Sequence, residues 1–123
     1  MAQAAELVAP HAPPRAIDRE HFARMSAGDR ALEREVLALF ARQAGLLVAR
    51  MDGVAPACLA TLAHTLKGSA RGIGAWAVAR AADALEDAAG PHGSPAAVAL
   101  AIAELRAAVA EARADIAAWL GGA

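Results

Sequence analysis

The segment Ala63-His64-Thr65-Leu66-Lys67-Gly68-Ser69-Ala70-Arg71-Gly72-Ile73-Gly74-Ala75 sets an imidazole among two cations and several glycines. On a helix, His64, Lys67, Gly68 and Arg71 stand at i, i+3, i+4 and i+7 and share one face. Leu62, Leu66, Ala70 and Ile73 form a separate apolar stripe. An imidazole can act as a nucleophile near neutral pH when one ring nitrogen keeps its lone pair. Glycine inside a helix costs about 0.5–1 kcal/mol relative to alanine, so Gly68 calls for a return. That return is space beside His64, through which another protein's side chain can reach the ring. Lys67 offers a flexible positive charge one turn along, suited to an anionic phosphoryl group. Arg71 either extends that positive surface or faces water.

A nucleophilic imidazole also needs its tautomer fixed by a partner on the opposite ring nitrogen. Glu86, on the following helix, is the candidate. A tight turn at residues 72–74 makes the two helices antiparallel, and a rise of about 1.5 Å per residue then brings Glu86 within about a helical turn of His64. The competing reading for Glu86 is an ordinary solvated carboxylate near a helix end.

The elements that position these residues are all helical. Residues 1–15 are rich in Ala and Pro and read as a flexible tail. Asp18 is placed to cap a short helix running to Ser26, and Asp29 to cap a second that reaches Met51. Leu32, Val36, Phe40, Leu47 and Met51 give that second helix an apolar face. Pro56 suits the first turn of a third helix, where its missing N–H costs nothing. This helix carries Leu59, Leu62, Leu66, Ala70 and Ile73 inward, and Gly72 and Gly74 interrupt it. A fourth helix covers residues 75–89, with Val78, Ala82 and Leu85 facing in. Ser94-Pro95 starts the last, which runs to Trp119 with Val98, Ile102, Leu105, Val109, Ala112 and Ile116 at alternating spacings of four and three. Short loops between long helices favour antiparallel neighbours. The expected fold is all-α: an antiparallel up-down four-helix bundle over residues 16–120, with the short first helix covering one end.

The totals agree. Hydrophobic residues make up 58% of the 123-residue chain but aromatics only 3%, so much of the apolar content is alanine, a strong helix former. Tyrosine is absent, and the aromatic and β-branched residues that sheets favour are scarce. A net charge of −1, from 12 basic and 13 acidic residues, gives no reason to expect a nucleic-acid partner. The first fourteen residues hold no Lys or Arg and no sustained apolar run, so neither a signal peptide nor a membrane span is expected. Cys58 is the lone cysteine, which excludes an internal disulfide and fits a reducing cytoplasm. It reads as a small buried or half-buried residue rather than a nucleophile. His11, His21 and His92 have no metal-ligand spacing, and no metal site or bound cofactor is expected. No phosphate-binding loop of the GxxxxGK[ST] type is present.

The pattern His64-x-Leu66-Lys67-Gly68-Ser69-Ala70, then Ile73-Gly74-Ala75, then Val78, Ala82 and Leu85-Glu86, resembles the histidine-containing phosphotransfer (HPt) domain of multistep phosphorelays. Asp18, Gly28-Asp29 and Phe40 also sit where that family tends to place similar residues. The resemblance spans roughly residues 17–119, and the stretch from His64 to Glu86 is its specific part. It implies that His64 is the phosphoacceptor, that Lys67 assists with phosphoryl charge, that Gly68 gives a receiver domain room, and that Glu86 orients the imidazole. Trp76 falls at a variable position and is given no role. The implied partners are response-regulator receiver domains and a (hybrid) histidine kinase, with Mg2+ carried by the receiver. The chain itself would be a phosphohistidine carrier rather than an enzyme, free-standing and monomeric so that the motif face stays open.

Beside a metal or hydrolase site, disfavoured by the lack of convergent ligands or a catalytic pair, two other readings compete. One is an HPt-like helical adaptor that docks signalling partners without being phosphorylated. The other is a histidine-kinase dimerisation fragment, which usually carries an acidic residue after the histidine and a proline a few residues on; Thr65 and Ser69 occupy that stretch here.

Overall fold

Asp18 and Asp29 each close the start of a helix with their own carboxylates. Asp18 accepts from the His21 N–H at 3.0 Å and opens α1 (Arg19–Ser26). Asp29 accepts from the Leu32 N–H at 3.0 Å and opens α2 (Arg30–Ala49). These side chains satisfy N–H groups that a helix cannot pair internally. Pro56 occupies the first turn of α3 (Pro56–Ile73) with no side-chain cap. After α4 (Trp76–Ala88), Ser94 Oγ accepts from the Ala97 N–H at 3.1 Å at the start of α5 (Pro95–Gly121). The computed structural model describes residues 16–121, and among them there is no strand. The tail expected over residues 1–15 lies outside the described residues.

Helices α2 to α5 form an antiparallel up-down bundle in which each packs against its two neighbours, α5 returning to α2. The core is built from Leu37, Phe40 and Ala44 of α2, from Leu59, Ala63, Leu66, Ala70 and Ile73 of α3, from Val78, Ala82 and Leu85 of α4, and from Ala101, Leu105, Val109, Ala112 and Ile116 of α5. Alanine alternates with larger side chains on the buried face of α3 and is interspersed with them on α4 and α5, which lets the axes approach closely while the larger side chains fill the gaps.

Helix α1 lies across one end, against α2 and α3. Phe22 packs edge-on to Trp119 with ring centroids 5.8 Å apart, and the Arg19 guanidinium lies 3.9 Å from the centre of that indole. Asp115 accepts from the Ile17 N–H at 3.1 Å and from Arg19 at 3.4 Å, so the chain entering α1 is held to the last turns of α5.

Several expectations need correction. The inward face of α2 includes Phe40, with Val36 and Leu47 packed against the core as expected, but it is centred on Leu37, Phe40 and Ala44, and Leu32 is 45% exposed. The helix carries leucines on more than one side, and the small Ala44, which marks the true face, adds little to a hydropathy pattern. Helix α2 also stops at Ala49 rather than Met51, although Met51 is buried. Cys58 is exposed, because it sits in the first turn of α3 on its outer side. Gly72 does not interrupt α3 but lies within it; Gly74 alone ends the helix. At φ 79° Gly74 is left-handed, and the Ala75 N–H returns to the Ala70 carbonyl at 2.8 Å. A side chain there would also strike Asp18, since a Cβ would lie 3.0 Å from the Asp18 carbonyl oxygen. The same close approach lets the Asp18 N–H donate to the Gly74 carbonyl at 2.9 Å.

Candidate functional site

The turn at Gly74 and Ala75 fixes the register of α3 on α4. His64 and Glu86 are equally distant along the chain from Ala75, and so are Lys67 and Asp83. In an antiparallel hairpin such residues face each other, and both pairs do meet. His64 Nδ1 lies 3.1 Å from Glu86 Oε2. The Lys67 ammonium lies 2.7 Å from Glu86 Oε1 and 3.0 Å from Asp83 Oδ1. The i, i+3 spacing of His64 and Lys67 on α3 is thus answered by the i, i+3 spacing of Asp83 and Glu86 on α4.

The imidazole projects into solvent, with its side chain 69% exposed. A carboxylate only accepts hydrogen bonds, so the nitrogen facing Glu86 carries a proton. In the neutral ring this leaves the lone pair on Nε2, at the outer end of the side chain. Glu86 is suited to the task because Lys67 chiefly, and His64 after it, hold its carboxyl below the usual carboxylate range, against an opposing effect of partial burial. Glu86 therefore stays an anion. Glu86, and then Asp83, in turn raise the proton affinity of Lys67.

Lys67 is not the free cation that its place in the sequence suggested. Its side chain is only 12% exposed, laid along α3 toward α4 and held by the two carboxylates. Arg71 is exposed and edges a hollow shared with Trp76, Ala79, Arg80 and Asp83. Its backbone carbonyl accepts from His21 Nε2 at 3.1 Å.

Gly68 lies one turn from His64 on the same exposed side. Among the described residues, a Cβ built there meets nothing within 4 Å, and the same holds at Gly72. Neither glycine is required by a positive φ or by packing within this chain. Each still carries the helix penalty of about 0.5–1 kcal/mol.

Two residues missing from the sequence reading belong to this neighbourhood. Asp83 is the second anchor of Lys67; the mirrored spacing about Ala75 would have identified it. Trp76, given no role, donates its indole N–H to Asp18 Oδ2 at 2.9 Å and packs edge-on to His21 at 4.9 Å. The indole, followed by the His21 backbone N–H, lowers the proton affinity of Asp18. This cluster pins α1 to the α3–α4 turn and so braces the hairpin that sets the register of the site. Among the described residues, no three His, Cys, Asp or Glu side chains converge as a metal site would require. His92 lies exposed in the loop before α5, and His11 falls outside the described residues.

The fold and site together define a class: a helical bundle with an exposed imidazole tethered through one nitrogen. The family model of the Hpt domain matches residues 35–115, from within α2 to within α5, and the chain belongs to that family. It is also similar to the crystal structure of the histidine phosphotransferase ShpA from Caulobacter crescentus. The two share 33% identity with a TM-score of 0.69, over 87% of this chain and 92% of that one. A search of the curated proteins returns no match.

Proposed function

We propose that this chain is a phosphorelay intermediate. It accepts a phosphoryl group on His64 from a receiver-domain aspartate or a kinase and passes it to an aspartate of a response regulator. The observation that carries this reading is the contact of 3.1 Å between Nδ1 of an exposed His64 and Glu86. That contact aims a lone pair on Nε2 outward, and Gly68 beside it has no reason to be glycine inside the chain. The likeness to a protein described as a histidine phosphotransferase supports the same chemistry.

The Nε2 lone pair attacks phosphorus in line with the bond to the donor aspartate. The P–O bond breaks with its electron pair left on the aspartate carboxylate, and the P–N bond forms. The Nδ1 proton stays on the ring, and the positive charge that develops there faces the Glu86 carboxylate. The return step to the next aspartate reverses these movements. The bundle supplies a positioned nucleophile and a docking face. The Mg2+ that offsets phosphoryl charge belongs to the receiver. In this reading the phosphoryl group comes from the partner. Among the described residues no helix is long and apolar enough to cross a membrane.

The test is intact mass after incubation with a phosphorylated receiver domain. The expected result is one acid-labile, base-stable phosphoryl adduct on the wild type and none on His64→Gln, with both proteins equally folded. Receiver binding without any adduct would replace this reading with a docking-only adaptor.

A further inference from the structure

The ion pairs of Lys67 carry a consequence for the fate of the phosphoryl group. The Glu86 carboxylate bridges Lys67 and His64, its Oε1 meeting the Lys67 ammonium and its Oε2 meeting His64 Nδ1. Two carboxylates share that one ammonium, so the cluster of Lys67, Asp83 and Glu86 is net negative. A phosphoryl group on Nε2 would sit on the ring nitrogen that the Glu86 bridge leaves free.

We infer, building on the phosphorelay reading, that Asp83 is a positioning residue: it holds Lys67 away from Nε2 and so keeps the phosphohistidine ready to give up its phosphoryl group. Glu86 is the nearer partner at 2.7 Å and Asp83 the second at 3.0 Å, and a lysine that loses one of two partners regains the freedom of its flexible four-carbon stem. With Asp83 neutralised, Lys67 keeps a single carboxylate partner and its ammonium is free to pair with a phosphoryl oxygen. The phosphohistidine is then stabilised against the aspartyl phosphate. Asp83 does this from a half-exposed position, 52% exposed, on the outer side of α4, where it serves no core contact.

The experiment uses the full chain with a phosphorylated receiver domain and reads the equilibrium ratio of phosphohistidine to aspartyl phosphate. The variants are Asp83→Asn, Asp83→Glu and Asp87→Asn. Asp87 lies one turn further along α4, is exposed and makes no ion pair with Lys67, so its variant controls for net charge. Loss of one half-exposed ion pair predicts a roughly two- to fivefold shift toward phosphohistidine in Asp83→Asn. Asp83→Glu restores the wild-type ratio, and Asp87→Asn leaves it unchanged. An unchanged ratio in Asp83→Asn, or an equal shift in Asp87→Asn, overturns the role of Asp83 while the phosphorelay reading stands. A wild type that takes no phosphoryl group on His64 removes that reading and this inference together.

Discussion

Substitution of Gly68 separates stability from function in opposite directions. A Cβ at this position meets no heavy atom within 4 Å, so a side chain enters open space. Gly68→Ala therefore recovers helix propensity with no packing cost and should stabilise the chain by about 0.5–1 kcal/mol. For a bundle of this size that corresponds to a rise in Tm of about 2–5 °C. Gly68→Gln recovers most of the same propensity but places a long side chain one turn from His64, where a docking protein must approach. Overfilling a packed contact costs about 1–3 kcal/mol, equivalent to a roughly 5- to 150-fold loss in kcat/KM for transfer. The assay pairs thermal unfolding by circular dichroism with single-turnover transfer from a phosphorylated receiver. Higher Tm with slower transfer supports the access argument. Transfer by Gly68→Gln at the wild-type rate would refute it, and a fall in Tm for Gly68→Ala would show a packing role for this glycine.

Other outcomes follow from the same geometry. Glu86→Ala should slow phosphorylation of His64 by roughly tenfold or more, because a missing tautomer partner weakens a catalytic imidazole, whereas Glu86→Gln, which keeps an accepting oxygen, should retain more activity; equal rates in all three proteins would remove the orienting role. Glu86 and Asp18 have folded-state proton affinities below their ordinary values of 4.5 and 3.8. Their contributions to stability are thus present above those values and lost as pH falls below them, so Tm should drop on acidification below about pH 4.5 and drop less in Glu86→Gln. Trp76→Phe removes the donor to Asp18 Oδ2 and should speed amide exchange in α1 while α5 is unaffected; unchanged exchange would mean that the indole does not brace the end of the bundle. Leu105→Ala, at a fully buried position of α5, should cost about 2–5 kcal/mol by denaturant unfolding, against about 0.5 kcal/mol or less for Leu46→Ala, which is 60% exposed.

Much of this arrangement could be read from the residues. The helix starts were visible because Asp18, Asp29, Pro56 and Ser94 are each suited to a first turn for a distinct reason. The antiparallel pairing of α3 and α4 followed from the tight turn near Gly74, and with it the approach of Glu86 to His64. Of the face expected on α2, Phe40 and Met51 are buried and Val36 and Leu47 pack against the core, while Leu32 lies outside it; the buried Leu37 and Ala44 were not expected, because leucine lies on several sides of that helix and Ala44 scores weakly as apolar. Burial of Cys58 was wrong because amphipathic patterning says little about a first helical turn. The clamp on Lys67 and the bond from Trp76 to Asp18 escaped notice for another reason. Both join residues distant in sequence, and their partners are fixed only once the register is known.

The claim on which the account turns is that His64 reacts through Nε2 while Nδ1 stays on Glu86. The direct measurement is phosphorus–proton correlation NMR of the phosphorylated wild-type chain, which reports which ring nitrogen carries phosphorus and, with His64→Gln as the blank, on which residue. The account predicts a single phosphohistidine, at His64, with phosphorus on Nε2. Phosphorus on Nδ1 would contradict the Glu86 geometry, and phosphorus on any residue other than His64 would contradict the site itself.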